Sequence, residues 1–367
     1  MEHKKIVFWS TTILDLIEGK AIGGIAVQLF FWSKVFVEQN WEVYSFTDCH
    51  KDTLVKEDIT FLPKRNIKRI NLLAEWWYAF HYISKLKPDV IIYRGANREL
   101  LPLVRISNLL GAKLLFFSAS DVNFEPGKEL IGGNANRRLY QDAVRQCRYF
   151  IVQNKHQQDT LQKNYGKESL QQYNIWGRTG FSEQEQPPQS DVVWIANFRR
   201  LKRAEWVLDM AERIPRMKFV LAGGPSGDGV YYKEMKVRAA NLANVDFLGG
   251  RSFFYANELV AKSKVLLCTS TFEGFPNTFL QAWSNGLPVI STVDPSGIIE
   301  ANGLGEVVKD EEELTAALMH IVDDKQYYQQ LQQNVNAFFK ANHSSEAGYK
   351  RVIQYIQGCD LHRTRKL

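Results

Sequence analysis

The chain has 367 residues, more than a single hydrophobic core ordinarily fills, so two domains are expected. Hydrophobic residues make up 45% and charged residues 23%, a balance that excludes a disordered or low-complexity chain. The net charge of +6 lies almost wholly in the first half: residues 1–185 hold 25 Lys/Arg against 20 Asp/Glu, and residues 186–367 hold 21 against 20.

Residues 6–9 read as a first strand. A polar loop follows, then Gly23-Gly24 and a helix from about Ile25 to Glu38, whose apolar positions Ile25, Leu29, Trp32 and Phe36 have helical spacing. Residues 43–46, 90–93, 114–117 and 150–152 continue as strands with helical stretches between them. Short uninterrupted apolar strands between helices predict a parallel sheet covered on both faces. The polar, proline-containing residues 182–190 read as a linker. The alternation then restarts with strands at 192–195, 219–222, 245–247, 265–267 and 288–290. The predicted fold class is α/β, with two doubly wound Rossmann-like domains facing across a cleft at the carboxyl ends of their strands. Residues 345–357 have helical periodicity through Tyr349, Val352, Ile353 and Ile356.

Four scattered cysteines form no CxxC pair and no spacing with histidine, which points to a reducing cytoplasm and to no disulfide or metal framework. No signal-peptide-like run opens the chain, and no stretch approaches the roughly 20 apolar residues of a membrane span. Positive charge peaks at Lys64, Arg65, Lys68 and Arg69, ahead of the aromatic cluster Trp76, Trp77, Tyr78, Phe80 and Tyr82. Such a 64–82 region either docks on an anionic membrane surface or is a solvated basic turn before a helix whose aromatics fill a core. No nucleic-acid module signature accompanies it.

Four places could carry chemistry. Gly23-Gly24 either let backbone and helix N-terminus approach an anion or form an ordinary turn. Arg199, Arg200, Lys202 and Arg203 crowd the end of the strand at 192–195, where fixed cations suit a diphosphate; the alternative is a solvated basic helix start. Gly223 to Gly229 form a glycine-rich loop after the next strand, either a turn or a cradle for a base or phosphate. The most informative stretch is Glu273-Gly274-Phe275-Pro276-Asn277-Thr278, with Gln281 further on. An acid on a Gly/Pro loop, with a helix opened by Pro276, suits sugar hydroxyls and a phosphate.

These residues carry a resemblance. From Glu273 through Gln281 to Gly286, Pro288 and Val289 the chain is similar to the EGFPNxxLEAxxxGxPV motif of family 4 retaining glycosyltransferases, which have the GT-B fold. The resemblance extends over nearly the whole chain and includes the glycine pair and the basic loop after the linker. It implies an N-terminal acceptor domain, residues 1–183, completed by a crossover helix at about 345–367, and a nucleotide-sugar domain, residues 191–344. It implies that Lys202 is the phosphate-loop lysine and that Glu273 holds the transferred sugar. The family's ribose-binding Glu is Gln281 here, and its phosphate-loop Arg falls on Asn197, so Arg199 or Arg200 is expected to supply that cation. Where the family often has a His, this chain has Phe117 to Asp121; Asp121 either meets a sugar or acceptor hydroxyl or caps a turn. Arg94, at the end of the 90–93 strand, is a second candidate there.

The expected activity is retaining, metal-independent transfer of a sugar from a nucleoside diphosphate sugar to a glycan or lipid-linked acceptor in surface polysaccharide synthesis. Lys202, Glu273 and Arg200 form the catalytic set. Gly23, Gly24, Arg199, Gly224, Arg251, Gly274, Phe275, Pro276, Asn277, Thr278 and Gln281 bind the donor. No cofactor is expected, and no acid pair is placed to hold a metal. The partners are the nucleotide sugar, the acceptor and the cytoplasmic face of an anionic membrane, with no nucleic acid. Two alternatives stand: a catalytically silent sugar-nucleotide-binding subunit, and a nucleotide-sugar epimerase of the same fold.

Overall fold

The computed structural model describes residues 4–20, 23–48, 50–64, 72–177, 188–227, 229–273 and 275–364. The chain divides into two compact units, residues 1–175 with 345–367, and residues 176–344. Each is a mainly parallel sheet with helical connections, the two Rossmann-like domains of a GT-B fold.

The first sheet contains β1 (Lys5–Phe8), β2 (Glu42–Thr47), β3 (Leu54–Lys56), β4 (Ile59–Pro63), β5 (Val90–Arg94), β6 (Lys113–Phe117), β7 (Tyr149–Val152) and β8 (Leu170–Gln171), in the order β3-β4-β2-β1-β5-β6-β7-β8. The central strands earn their place by apolarity: Ile6 pairs with Val43 on one side and Val90 on the other, and Val90 to Tyr93 are all buried. The antiparallel β3–β4 hairpin was not anticipated. Its two turn residues, Glu57 and Asp58, both have positive φ (54° and 59°), a turn ordinarily signalled by Asn-Gly. Nor was the helix Thr12–Ile17, which buries Ile13, Leu14 and Leu16 inside what reads as a polar loop. The helix Gly24–Glu38 buries Leu29, Trp32 and Phe36, but Ile25 stays 41% exposed because it belongs to the first turn, beyond the apolar face.

The helix Ser345–Thr364 belongs to the first unit. Trp41 Nε1 donates to Tyr349 Oη at 3.0 Å, and Phe36 packs edge-on to Tyr349. The linker predicted at 182–190 lies largely outside the described residues. The units divide at Ile175 and Trp176, and Trp176 N–H donates to His343 O within the second unit.

The second sheet contains β9 (Ser190–Ile195), β10 (Phe219–Ala222), β11 (Val245–Gly249), β12 (Ser263–Cys268), β13 (Val289–Ser291) and β14 (Gly305–Val307), in the order β11-β10-β9-β12-β13-β14. Val192 of β9 pairs with Phe219 of β10 and Val265 of β12. The chain therefore winds outward in one direction from β9 and in the other from β12. That reversal makes the loops after β9 and β12 neighbours at the carboxyl edge, the position where open α/β sheets bind ligands.

Candidate active site

The two loops at that reversal are the basic loop and the Glu273 loop, and hydrogen bonds stitch them together. Thr271 N–H donates to Leu201 O at 2.8 Å. Thr269 Oγ1 donates to Lys202 O at 2.5 Å and accepts from Trp194 Nε1 at 3.1 Å. Arg203 stands in the left-handed region (φ 47°) just before the helix Ala204–Arg213. Its guanidinium donates to Thr269 O at 2.6 Å and Ser270 O at 3.3 Å and lies over the Trp206 ring. Burial lowers its pKa. Arg203 therefore ties the loops together and is not an idle cation.

That stitching brings Lys202 and Glu273 into an ion pair through Lys202 Nζ and Glu273 Oε1, with side chains 19% and 21% exposed. Ser270 Oγ donates to the same carboxylate oxygen at 2.9 Å. Among the described residues no hydrogen bond is made to Glu273 Oε2, which leaves an acceptor for a hydroxyl. A cation and a carboxylate side by side match a ligand that offers phosphate and hydroxyls together.

The other predicted cations lie apart from this pair. Arg199 Nε donates to Ser226 Oγ at 2.9 Å. Arg200 lies over the Tyr231 ring, 3.9 Å from Glu234, with its side chain 66% exposed. Arg251 lies over the Tyr255 ring.

The motif after Glu273 is largely packing. The Phe275 ring sits among Phe279, Trp283 and His343, with centroids 6.0–6.3 Å away, and Pro276 is buried. These contacts pin the loop and aim Glu273 back at Lys202. The helix that follows, Asn277–Trp283, has only seven residues. Asn277 and Thr278 open it half-buried, and the Asn277 side-chain oxygen is enclosed without a partner. Gly274 lies outside the described residues. Gln281 is buried, not surface-exposed, and its Nε2 donates to Asn257 Oδ1 at 3.1 Å. A ribose contact would have to share or displace that bond.

The glycine loops meet each other backbone to backbone. Gly223 N–H donates to Gly249 O at 2.9 Å, and Phe198 N–H donates to Gly224 O at 2.9 Å. A Cβ on Gly223 would lie 1.7 Å from Ala196 O, so the glycine is required by the approach of the basic loop itself. Gly224 N–H points to Asn197 Oδ1 at 3.4 Å. Asn197, where the sequence resemblance leads to an expected Arg, thus joins two loops.

In the first unit, Gly23 precedes the helix Gly24–Glu38 without a capping side chain, and its surroundings are open. Asp121 Oδ1 accepts from Asn154 Nδ2 at 2.9 Å and Gln157 Nε2 at 2.8 Å, which ties it to the start of the helix Lys155–Tyr165; Ser120 provides the cap. Arg94 closes β5, donates to Asn174 Oδ1 at 2.9 Å, and is pushed down to about 10 by burial. Sequence reading missed a cluster at this carboxyl edge. Glu99 accepts from Trp9 Nε1 at 2.9 Å and pairs with Lys64. Beside it Arg98 pairs with Glu75 at 3.0 Å, and burial raises the Glu75 carboxyl. Positions 9, 64, 75 and 98–99 share no local pattern; only the parallel order β4-β2-β1-β5 gathers their loops.

Among the described residues no three His, Cys, Asp or Glu side chains are grouped to hold a metal. The buried thiols of Cys147 and Cys268 are both raised by desolvation, Cys147 to about 12.

Residues 189–324 match the family model described as glycosyl transferases group 1. A D-inositol 3-phosphate glycosyltransferase of Mycobacterium leprae is 29% identical over 104 residues, 27% of this chain and 24% of that protein. The matched stretch thus spans about a quarter of that relative's length. Among solved structures, sucrose-phosphate synthase from Thermosynechococcus elongatus superposes with a TM-score of 0.65 at 16% identity, covering 99% of both chains. A UDP-N-acetylglucosamine 2-epimerase superposes with a TM-score of 0.60 at 14% identity, covering 97% of both.

Proposed function

We propose that the protein is a retaining glycosyltransferase that moves a sugar from a nucleoside diphosphate sugar to a glycan or lipid-linked acceptor in surface polysaccharide synthesis. The observation that carries this reading is the Lys202–Glu273 pair at the sheet reversal of a group 1 glycosyl transferase domain. Lys202 stabilises charge that develops on the departing diphosphate, with Arg199 or Arg200 helping once it leaves its present neighbour. Glu273 holds hydroxyls of the transferred sugar through its unengaged oxygen. Gln281 meets the ribose by sharing its amide with Asn257, and the loops at Gly224 and Arg251 contact the base. The departing phosphate accepts the acceptor's proton, so no dedicated general base is needed. Neutralisation by side chains makes the reaction independent of a metal.

A thermal-shift screen of nucleotide sugars tests the binding half. A donor at a hundred times its Kd stabilises the native chain by about 2.7 kcal/mol, enough to raise Tm by several degrees. The matched donor should then release nucleoside diphosphate only when acceptor is present. Release of nucleoside diphosphate without acceptor would instead favour the epimerase reading, whose fold this chain shares.

We further propose docking on an anionic membrane at the cytoplasmic face. Residues 65–71 lie outside the described residues, and the helix Leu72–Leu86 that follows divides its aromatics. Tyr78 and Tyr82 are buried in the core, while Leu73, Trp77 and Phe80 form an exposed stripe at helical spacing, 52–73% exposed. Among the described residues no helix is long and apolar enough to cross a membrane. In a flotation assay the protein should rise with phosphatidylglycerol vesicles and not with neutral ones, and Trp77→Ala/Phe80→Ala should lose at least half of that recovery. Equal recovery of the variant would remove this proposal.

A further inference from the structure

Arg94 is a half-buried cation at the carboxyl edge of the first sheet, with no ion-pair partner among the described residues. It is the last residue of β5, the strand beside β1 at the point where the first sheet reverses its winding. Its Nη2 donates to the neutral Asn174 side chain, while its Nε is enclosed without a partner. Among the described residues no carboxylate lies within ion-pair distance of it, and no neighbouring charge contributes to its lowered pKa. The neighbouring Arg98 has Glu75, so carboxylates are available at this edge but are not spent on Arg94.

A half-buried guanidinium whose Nε is enclosed without a partner and whose Nη2 faces only an amide is unfavourable, and an apolar residue of similar volume would be better tolerated. A guanidinium kept in that state fits a ligand that brings the countercharge. Its surroundings favour an anion. Gly95 follows with φ 97°, and Ile25 Cδ1 lies 3.6 Å from the position of a Gly95 Cβ. The Ile25 side chain, from the first turn of the helix Gly24–Glu38, therefore reaches the end of β5, and that turn has no capping side chain and no acid.

We propose that Arg94 binds an oxyanion group, a phosphate or carboxylate, carried by the acceptor, so that the acceptor is an anionic saccharide or a phosphate-linked one. The assignment to the acceptor rests on the transferase reading above; the anion site itself does not.

The test uses the full chain and inorganic phosphate as probe, at fixed ionic strength with chloride as reference. In chloride, Arg94→Met should melt about 3 °C above the parent protein, because it removes a half-buried charge with an enclosed, unpartnered Nε. In phosphate the parent should gain and Arg94→Met should not, beyond the salt effect common to both. A lower melting point for Arg94→Met in chloride, or failure to fold, would make Arg94 a strut for Asn174 and overturn the site. Arg94→Lys keeps the charge without the fork and should show a reduced phosphate response; a response equal to the parent's would overturn the guanidinium assignment.

Two further arms separate the sources of the anion. The phosphate response should survive in Lys202→Ala, and protection by UDP or GDP should be unchanged in Arg94→Met. Loss of that protection would assign Arg94 to the donor diphosphate and overturn the acceptor assignment. An Arg94-dependent phosphate response in a chain that binds no nucleotide sugar would sink the transferase reading while the anion site stands.

Discussion

Lys202→Ala is expected to lower kcat for sugar transfer by about 10²–10³-fold, the usual cost of removing one fixed group that stabilises developing charge. Glu273→Ala should cost a comparable factor, through lost contact with the sugar and through release of Lys202 from its present position. Because the two side chains are paired, the double variant should be little worse than the poorer single one. Glu273→Gln keeps a hydrogen-bond acceptor but gives up the ion pair, and should fall between parent and alanine. Both side chains are partly solvated, so breaking the pair should change stability by no more than about 1 kcal/mol. Melting curves of the variants would establish that lost transfer is not lost folding. If Lys202→Ala and Glu273→Ala both transferred sugar within threefold of the parent, the catalytic roles assigned to this pair would be wrong.

Gly223→Ala is expected to damage the second unit severely. The added Cβ would meet Ala196 O at 1.7 Å and its carbonyl carbon at 2.6 Å, both backbone atoms that no rotamer change can move. Overpacking alone costs about 1–3 kcal/mol, and displaced backbone adds to it, so a loss of roughly 3 kcal/mol or more is expected. For a unit of this size that corresponds to a Tm lower by about 6–12 °C. Ala196 leads directly into the loop that carries Lys202, so any protein that still folds should bind nucleotide poorly. Gly229→Ala is the matched control. Nothing lies within 4 Å of its added methyl, and it sits at the start of a helix, where alanine should be neutral or slightly stabilising. Equal melting temperatures for the two variants would show that the close approach at Gly223 does not govern the loop.

The alternation of apolar strands with helices was legible because each central strand, covered on both faces, must be apolar along its length. The loops that flank the reversal in the second sheet were legible for a different reason. Their glycines and proline are residues that strands and helices avoid, and their cations and acid crowd together without an apolar period, so they stood out against the background. The missed pieces lack such local marks. The β3–β4 turn uses Glu57 and Asp58 where glycine or asparagine is usual, and the helix Thr12–Ile17 is too short for its period to show.

By itself the sequence determined the two α/β units, the loops that hold the site and the residue types available to it, because these follow from patterning over consecutive residues. Tertiary structure alone decided which residues meet. Of four clustered cations, backbone carbonyls at 269–270 engage Arg203, Ser226 holds Arg199, the ring of Tyr231 lies under Arg200, and Lys202 is left facing Glu273. Asn257 claims the amide of Gln281, and β5 carries Arg94 to a place where Asn174 accepts from it and, among the described residues, no carboxylate pairs with it. Such pairings depend on distances between strands dozens of residues apart. The packing of the sheets sets those distances, and no local period records them.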